Sequence, residues 1–397
     1  MKQETITKTD YLVVFLLLFI SGNPLSEHFF GKFSALALLI FVVAIILYKR
    51  VKLCGNAIVL AICIVVYVLL CMLQLLWLRD FSVMAYIRQG VMLLCGFYCM
   101  SFLGIKFRYA YLRIITFLAA VSILMFALQM MGLTFGITVS HYRTIGIYNA
   151  LSFDNYSIVQ RNCGMFWEPG AYQGYLILVP LFFIDNLKQL WISERKSCIA
   201  IAIALITTYS TTGFVVTFIV VGLSAFHEIK NSYVKILSLV GILLIGTYTF
   251  SSLDFLGDKI STEIQDAQQL STNDASWTRM GAMKIDLANI ARHPIIGNGF
   301  SLSSRYGSLG EQMTGSGNGF TGAMNTFGIP VIILYLFGVF KASAGRTVYQ
   351  RLIVALAIVL CLNGEYFLNY PLYWALLFLQ VRQKVHIQYS NKKPILQ

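Results

Sequence analysis

Residues 57–78 read AIVLAICIVVYVLLCMLQLLWL, with no charged side chain in the run. As an α-helix the stretch is about 33 Å long, enough to cross the roughly 30 Å hydrocarbon core of a bilayer. Working outward, comparable apolar stretches recur toward both termini. They predict helices at about 11–22, 33–48, 57–78, 84–104, 114–132, 171–186, 197–209, 212–227, 234–252, 320–340, 352–363 and 370–381. The expected fold is therefore an all-α membrane protein of about 12 transmembrane helices, a single polytopic domain over 1–397. Ser210-Thr211-Thr212-Gly213 splits the 197–227 stretch into two helices joined by a tight turn.

Composition points the same way. Hydrophobic residues make up 58% of the 397 residues and charged residues only 12%, about half the charge of an ordinary soluble domain. The mean hydropathy is +0.73. The net charge of +13 does not imply nucleic acid, since excess Lys and Arg mark the cytoplasmic loops of membrane proteins. Seven of the eight cysteines fall in or beside apolar segments, which predicts no disulfide framework. The apolar run Tyr11 to Ile20 ends in the turn Ser21-Gly22-Asn23-Pro24 without a small-x-small cleavage pattern, so no cleavable signal peptide is expected.

Charge bias gives the sidedness. With the N-terminus inside, most basic residues fall in inside segments, including Lys49, Arg50, Lys106, Arg108, Arg113, Arg195, Lys341, Arg346 and Arg382. Both termini are then cytoplasmic. Two long segments remain outside, at about 133–170 and 252–319. Long loops with structured punctuation are usually functional. In the second, Ile260, Ile264, Ala267 and Leu270 form one helical stripe, and Met280, Met283, Leu287 and Ile290 another. Short amphipathic helices over the outer face are expected there.

The basic residues that escape the bias are Lys32, Arg79, Arg88, Arg143, Arg161, Lys259, Arg279, Lys284, Arg292 and Arg305. Most are Arg, whose planar fork matches phosphate or carboxylate. An anchor at head-group level explains any single one; the set suits an anionic ligand such as a lipid pyrophosphate. Arg161-Asn-Cys-Gly-Met-Phe-Trp167-Glu168-Pro169-Gly170 stands at the mouth of the sixth span. Glu168 precedes a Pro at a helix start, where a carboxylate is electrostatically comfortable. It is also a candidate partner for a catalytic Arg, or a base acting on a sugar hydroxyl. Trp167 offers a face to a sugar, though Trp also belongs at membrane interfaces.

A second constellation runs from Trp277-Thr278-Arg279-Met280 to Ala291-Arg292-His293-Pro294-Ile295-Ile296-Gly297-Asn298-Gly299. Asp286, Asn289 and Arg292 share a helix face, and the glycines let backbone approach a ligand closely. Asn318 precedes the tenth span and Glu365 separates the last two, where a solvated turn competes with a functional carboxylate. No Walker A loop, dinucleotide fingerprint or metalloprotease motif occurs. The five histidines lack metal-ligand spacing, so neither a metal nor a cofactor is expected.

The Arg161…Phe166-Trp167-Glu168-Pro169-Gly170 motif, the Arg279…His293-Pro294-Ile295-Ile296-Gly297-Asn298-Gly299 motif and the Asn318…Gly328-Ile329-Pro330 stretch together resemble the O-antigen polymerase and O-antigen ligase family of bacterial inner-membrane glycosyltransferases. The resemblance implies a GT-C-like helical bundle and metal-independent transfer of sugar from undecaprenyl pyrophosphate at the periplasmic face. Donor and acceptor would be undecaprenyl-pyrophosphate-linked oligosaccharides, with membrane lipid around them and a chain-length regulator protein as a possible partner. Arginines would offset the leaving group's charge: Arg161 and Arg279 first, then Arg88, Arg143 and Arg292. Glu168 would position an arginine or the acceptor, while Trp167, Asn318 and Glu365 would bind substrate. Ligases typically carry a His-Asn pair before the span with Gly-x-Pro. Here Gly317-Asn318 stands in that place, which tilts the expectation toward a polymerase and leaves the general base unassigned. A ligase is the first alternative, and a lipid-linked oligosaccharide flippase or transporter the second.

Overall fold

The computed structural model describes residues 3–51, 56–133, 135–140, 142–151, 160–228, 233, 279–307, 316–380 and 386–388. The expected ninth span and the 260–270 stripe lie outside the described residues. Ten helices lead through the first part: α1 (Lys8–Ile20), α2 (Pro24–Phe30), α3 (Ser34–Lys49), α4 (Ala57–Leu78), α5 (Val83–Leu103), α6 (Lys106–Met130), α7 (Pro169–Phe182), α8 (Leu187–Ser193), α9 (Arg195–Thr207) and α10 (Thr211–Glu228). Helices Arg279–Ile290, Leu302–Tyr306, Gly319–Phe327, Ile329–Ala342, Val348–Gly364 and Pro371–Ala375 follow.

Local chemistry starts these helices where the sequence provides caps. Thr7 and Asp10 form a capping box for α1, Asn56 accepts the Val59 amide at 3.3 Å for α4, and Thr347 with Gln350 caps Val348–Gly364. Each cap satisfies amides that a first helical turn leaves unpaired.

Four stretches are long and apolar enough to cross a membrane: Pro24–Lys49, Ala57–Leu78, Val83–Leu103 and Lys106–Met130. The number rises to six if each of two bent pairs is one span. α4 is the most peripheral, with 11% of its apolar window buried against 50% for α5. Ile58, Val65, Leu69, Leu76 and Trp77 all face outward from it. That pattern suits a helix whose solvent is lipid. The protein is a helical, multi-pass membrane protein.

Several expected spans are corrected by the structure. α1 and α9 have 13 residues each, about 20 Å of helix, well short of the bilayer core. The sixth stretch bends by 104° between α7 and α8. The tenth, expected as one helix over 320–340, bends by 119° between Gly319–Phe327 and Ile329–Ala342. Gly328 takes φ +83°, and Pro330 begins the second helix. The last stretch, 370–381, is only the short Pro371–Ala375 helix with a 3-10 turn at Leu376–Phe378, buried throughout. The 197–227 stretch divides as expected, into α9 and α10.

The bend at Gly328 leaves helix-end carbonyls without intrahelical partners. Distant segments satisfy them. The Asn298 and Gly299 amides donate to the carbonyls of Asn325 (2.6 Å) and Thr326 (3.3 Å), and the Ile329 amide donates to Pro294 O at 2.9 Å. Gln74, the polar residue buried on α4, donates through Nε2 to Ile296 O and Thr326 O at 2.6 and 2.7 Å. The glycines of the 294–299 motif thus bring backbone against the bent span. Gly297 and Gly328 have φ +68° and +83°, and a Cβ on Gly297 would lie 2.5 Å from Gly328 N.

After β1 (Gln3–Thr5), the 133–170 segment builds a small antiparallel sheet of β2 (Ile137–Val139), β3 (Tyr142–Thr144) and β4 (Asn149–Leu151). In the second loop the Met280–Ile290 stripe does form a helix, Arg279–Ile290, with Ala282, Ile285, Asn289 and Ile290 buried.

Ion pairs gather among the segments that charge bias assigns to the inside. Lys106 pairs with Asp10 at 3.0 Å, Arg108 and Arg346 both reach Asp185 at 3.6 Å, and Arg113 pairs with Glu194. Each ties together connectors that are distant in the chain.

Candidate functional site

A cavity of about 380 Å³ opens among four segments that the sequence holds far apart. Its walls include Trp167 and Glu168 before α7, Arg279 at the start of its helix, Ser316 and Gly317 before Gly319–Phe327, and Glu365, Tyr366 and Tyr370 after Val348–Gly364. Glu168 is the N-cap residue of α7, but its side chain makes no capping hydrogen bond. The carboxylate turns into the cavity instead.

Glu365 extends from the C-terminus of Val348–Gly364 and is 7% exposed. Arg279 Nη2 lies 3.3 Å from its Oε1. Burial pushes the Glu365 carboxyl well above the usual carboxylate range; the charge of Glu168 and a hydrogen bond with it push the same way, while Arg279 and Arg161 oppose them. The contact with Arg279 has ion-pair geometry, but burial beside a second carboxylate outweighs it, and we read Glu365 as the protonated member of the pair.

Arg161 does not line the cavity but acts electrostatically on Glu168 and Glu365. Its Nε and Nη2 donate to the carbonyls of Thr208 and Tyr209, both at 3.0 Å, beyond the end of α9. Cations are favoured at helix C-termini. Burial lowers the pKa of Arg161, and the charge of Arg279 adds to this, while Cys163, Glu168 and Glu365 act against it. Asn162 fixes the segment with hydrogen bonds to Ser122 and Thr207.

Trp167 offers little free ring. It stacks on Tyr370 at 4.7 Å between centroids, and a Cβ on Gly22 would fall 1.9 Å from it. The aromatic wall is thus a Trp167–Tyr370 pair. Half-buried Arg88 on α5 and Glu27 act on Tyr370 with opposite electrostatic effects.

Other candidates do not line the cavity. Asn318 is buried; its oxygen accepts the Phe320 and Thr321 amides, and its Nδ2 donates to Asn363 at 2.7 Å. Arg143 lies exposed on β3, and Arg292 is exposed beyond Ile290; neither lines the cavity. The Gly297-Asn298-Gly299 turn, expected to approach a ligand, approaches the bent span instead. Asp286 is fully buried and accepts from Tyr306 (2.9 Å), Ser316 (2.6 Å), Thr321 (2.8 Å) and Asn325 (3.0 Å). Through Ser316 it holds the cavity wall.

Two structural residues escape the sequence reading. Asp80 accepts the Phe300 and Ser301 amides at 2.6 and 3.2 Å and the Tyr86 hydroxyl at 3.0 Å. Gln74 bridges α4 to the bend. A lone amide inside an apolar run was the available signal for Gln74, since a polar group at membrane depth needs a partner. Asp80 carried no comparable signal.

Among the described residues no group of His, Cys, Asp and Glu side chains is arranged to hold a metal ion. No curated protein and no solved structure matches the chain. A family model described as O-antigen ligase matches residues 197–336, about a third of the chain. The match takes in α9, α10, Arg279, the 294–299 motif and the bent span, while Glu168 and Glu365 lie outside it. Members of that family are glycosyltransferase-like enzymes. Over this stretch the chain is similar to the O-antigen ligase and polymerase family.

Proposed function

We propose that the protein is a polysaccharide polymerase that transfers undecaprenyl-pyrophosphate-linked oligosaccharide units onto a growing chain of O-antigen, capsule or exopolysaccharide. The observation that carries this reading is the convergence of Arg279, Glu168 and Glu365 on one cavity, with Arg161 near enough to act electrostatically on both carboxyls. The guanidinium groups would offset the negative charge that develops on the departing pyrophosphate, a role that requires no metal. The Trp167–Tyr370 wall would guide the sugar.

In this reading charge bias places both termini in the cytoplasm and the cavity at the periplasmic face of the bacterial inner membrane. The ion pairs among Asp10, Lys106, Arg108, Asp185 and Arg346 support that sidedness, because residues assigned to one face by charge bias also meet one another.

A ligase is the second reading, favoured by the similarity of residues 197–336 to O-antigen ligases. Gly317-Asn318 in place of a His-Asn pair favours the polymerase. A deletion strain separates them. Polymerase loss leaves single repeat units on the lipid A core or carrier, while ligase loss leaves full polymer on its lipid carrier. Repeat units trapped on the inner leaflet would instead indicate a flippase.

A further inference from the structure

We propose that Glu168 and Glu365 form one acid–base unit holding a single proton, in which Glu168 removes the proton of the acceptor's sugar hydroxyl and Glu365 is the positioning residue that donates a hydrogen bond to it. The inference rests on the glycosyl-transfer reading of the same cavity and supplies the base which that reading lacks.

The geometry begins with Gly170. A Cβ there would lie 2.2 Å from Glu365 Oε1 and 3.5 Å from Glu168 Oε1, so both carboxyl groups converge over one backbone position. Both line the same cavity. The charge of Glu168 and a hydrogen bond with it favour the neutral form of Glu365, the arrangement of a pair that holds one proton.

The surroundings decide which one keeps it. Glu365 is the more buried and caps the C-terminus of Val348–Gly364, where the helix dipole disfavours negative charge. Glu168 is half-buried at the N-terminus of α7, where the dipole favours it. The proton therefore belongs to Glu365 and the charge to Glu168. The charged and titratable groups that interact with the pair are Arg279, Arg161, Cys163, Tyr142, Tyr175 and Tyr370.

The charge balance favours a pyrophosphate. One shared proton leaves a single negative charge opposite two guanidinium groups, so the site keeps a net positive charge. With both carboxylates ionised it would be neutral.

The chemical step balances as follows. The acceptor O–H bond breaks and its proton passes to Glu168. The acceptor oxygen forms a bond to the anomeric carbon, and the bond from that carbon to the pyrophosphate oxygen breaks. The electron pair leaves with the pyrophosphate. Glu168 then returns its proton to water.

The test uses intact protein in membranes of a deletion strain, supplied with the lipid extract of that strain as donor and acceptor, with polymer formation followed from pH 5 to 9. Glu168→Gln is expected to lose about 100-fold or more, the usual contribution of a general base. Glu365→Gln keeps a neutral donor beside Glu168 and is expected to lose only about tenfold, the order of one weakened hydrogen bond. It should also lose the alkaline limb of the pH profile that ionisation of Glu365 imposes. Glu365→Leu removes the donor and should fall further, with the Gln variant restoring activity. A Glu168→Gln variant as active as wild type overturns the inference, as does a Glu365→Gln variant that is as inactive as Glu168→Gln while eluting as folded protein in detergent. Absence of polymer from wild-type membranes overturns the polymerase reading and the inference with it.

Discussion

The Arg279 guanidinium and the Glu365 carboxyl, 86 positions apart in the chain, stand 3.3 Å apart in the cavity wall. Arg279 opens one helix and Glu365 closes another, so the contact joins the second outer loop to the turn between the last two helices. If Arg279 offsets the leaving group, Arg279→Ala should lower polymer formation by roughly 100-fold or more, the scale seen on removing one donor to a developing anion. Arg279→Lys keeps the charge without the planar fork and should fall between. The check is polymer length on gels from a complemented deletion strain, with immunoblots for insertion. Wild-type length in Arg279→Ala would remove this arginine from the chemistry.

Gly297 and Gly328 make the next prediction. An Ala at 297 must hold a positive φ and place its Cβ 2.5 Å from Gly328 N and Thr326 O. Gly31 also has a positive φ, +51°, but a Cβ there meets nothing within 4 Å. Gly31→Ala should cost about 1–3 kcal/mol from backbone strain alone, because φ +51° with ψ −133° lies outside the left-handed helical region. Gly297→Ala should cost clearly more and pull the bent span out of register. Thermal unfolding in detergent measures both, and equal losses would refute the account of the bend.

Asp286 tests the buried network. Asp286→Ala strands the donors of Tyr306, Ser316, Thr321 and Asn325, and each buried unsatisfied group costs about 1–3 kcal/mol. Poor accumulation in the membrane is the expected outcome. Asp286→Asn keeps an acceptor and the hydroxyls can reverse, so this variant should accumulate better and show a slightly lower Tm. A fully stable Asp286→Ala protein would argue against a structural role.

Asp80 gives a pH dependence. Burial alone would raise its pKa, but hydrogen bonds from Ser82 and from the Ser301 and Phe300 amides outweigh it and hold the carboxyl below the ordinary range. A folded pKa below the unfolded one adds stability above the unfolded value, and that stability is lost as pH falls through the folded value. Asp80→Asn should therefore be less stable than wild type at pH 7. The gap should close as the medium is acidified below the ordinary carboxylate range. A gap independent of pH would show that the charge of Asp80 is immaterial.

The fold was most legible where lipid alone decides it. The 57–78 run marks a helix with the same limits in the structure, because an uninterrupted apolar stretch needs no tertiary context. The split between α9 and α10 was legible from its turn residues. Apolar periodicity is blind to direction, so the 119° bend in the tenth stretch did not show, although Gly328-Ile329-Pro330 held the signal of an end followed by a new start. The first outer loop hid its sheet because strands of three residues are too short to display alternation.

The site divides in the same way. Glu168, Trp167, Arg279 and Glu365 line one cavity, as their unusual polarity beside apolar spans suggested. Asn318 and the Gly297-Asn298-Gly299 turn were read toward a ligand because caps and glycine turns serve backbone and ligands with the same chemistry. Their partners, Asn363 and the bent span, come from other parts of the chain that no local pattern links.

The cavity's 380 Å³ lies near the lower end of the roughly 300–1,000 Å³ typical of small-molecule sites. It can grip the junction where a bond is made, but not the chain already made. An enzyme so built keeps no tally of its own product: the tenth addition and the hundredth look alike to it. In a polymerase of this design, the decision to stop must be taken elsewhere.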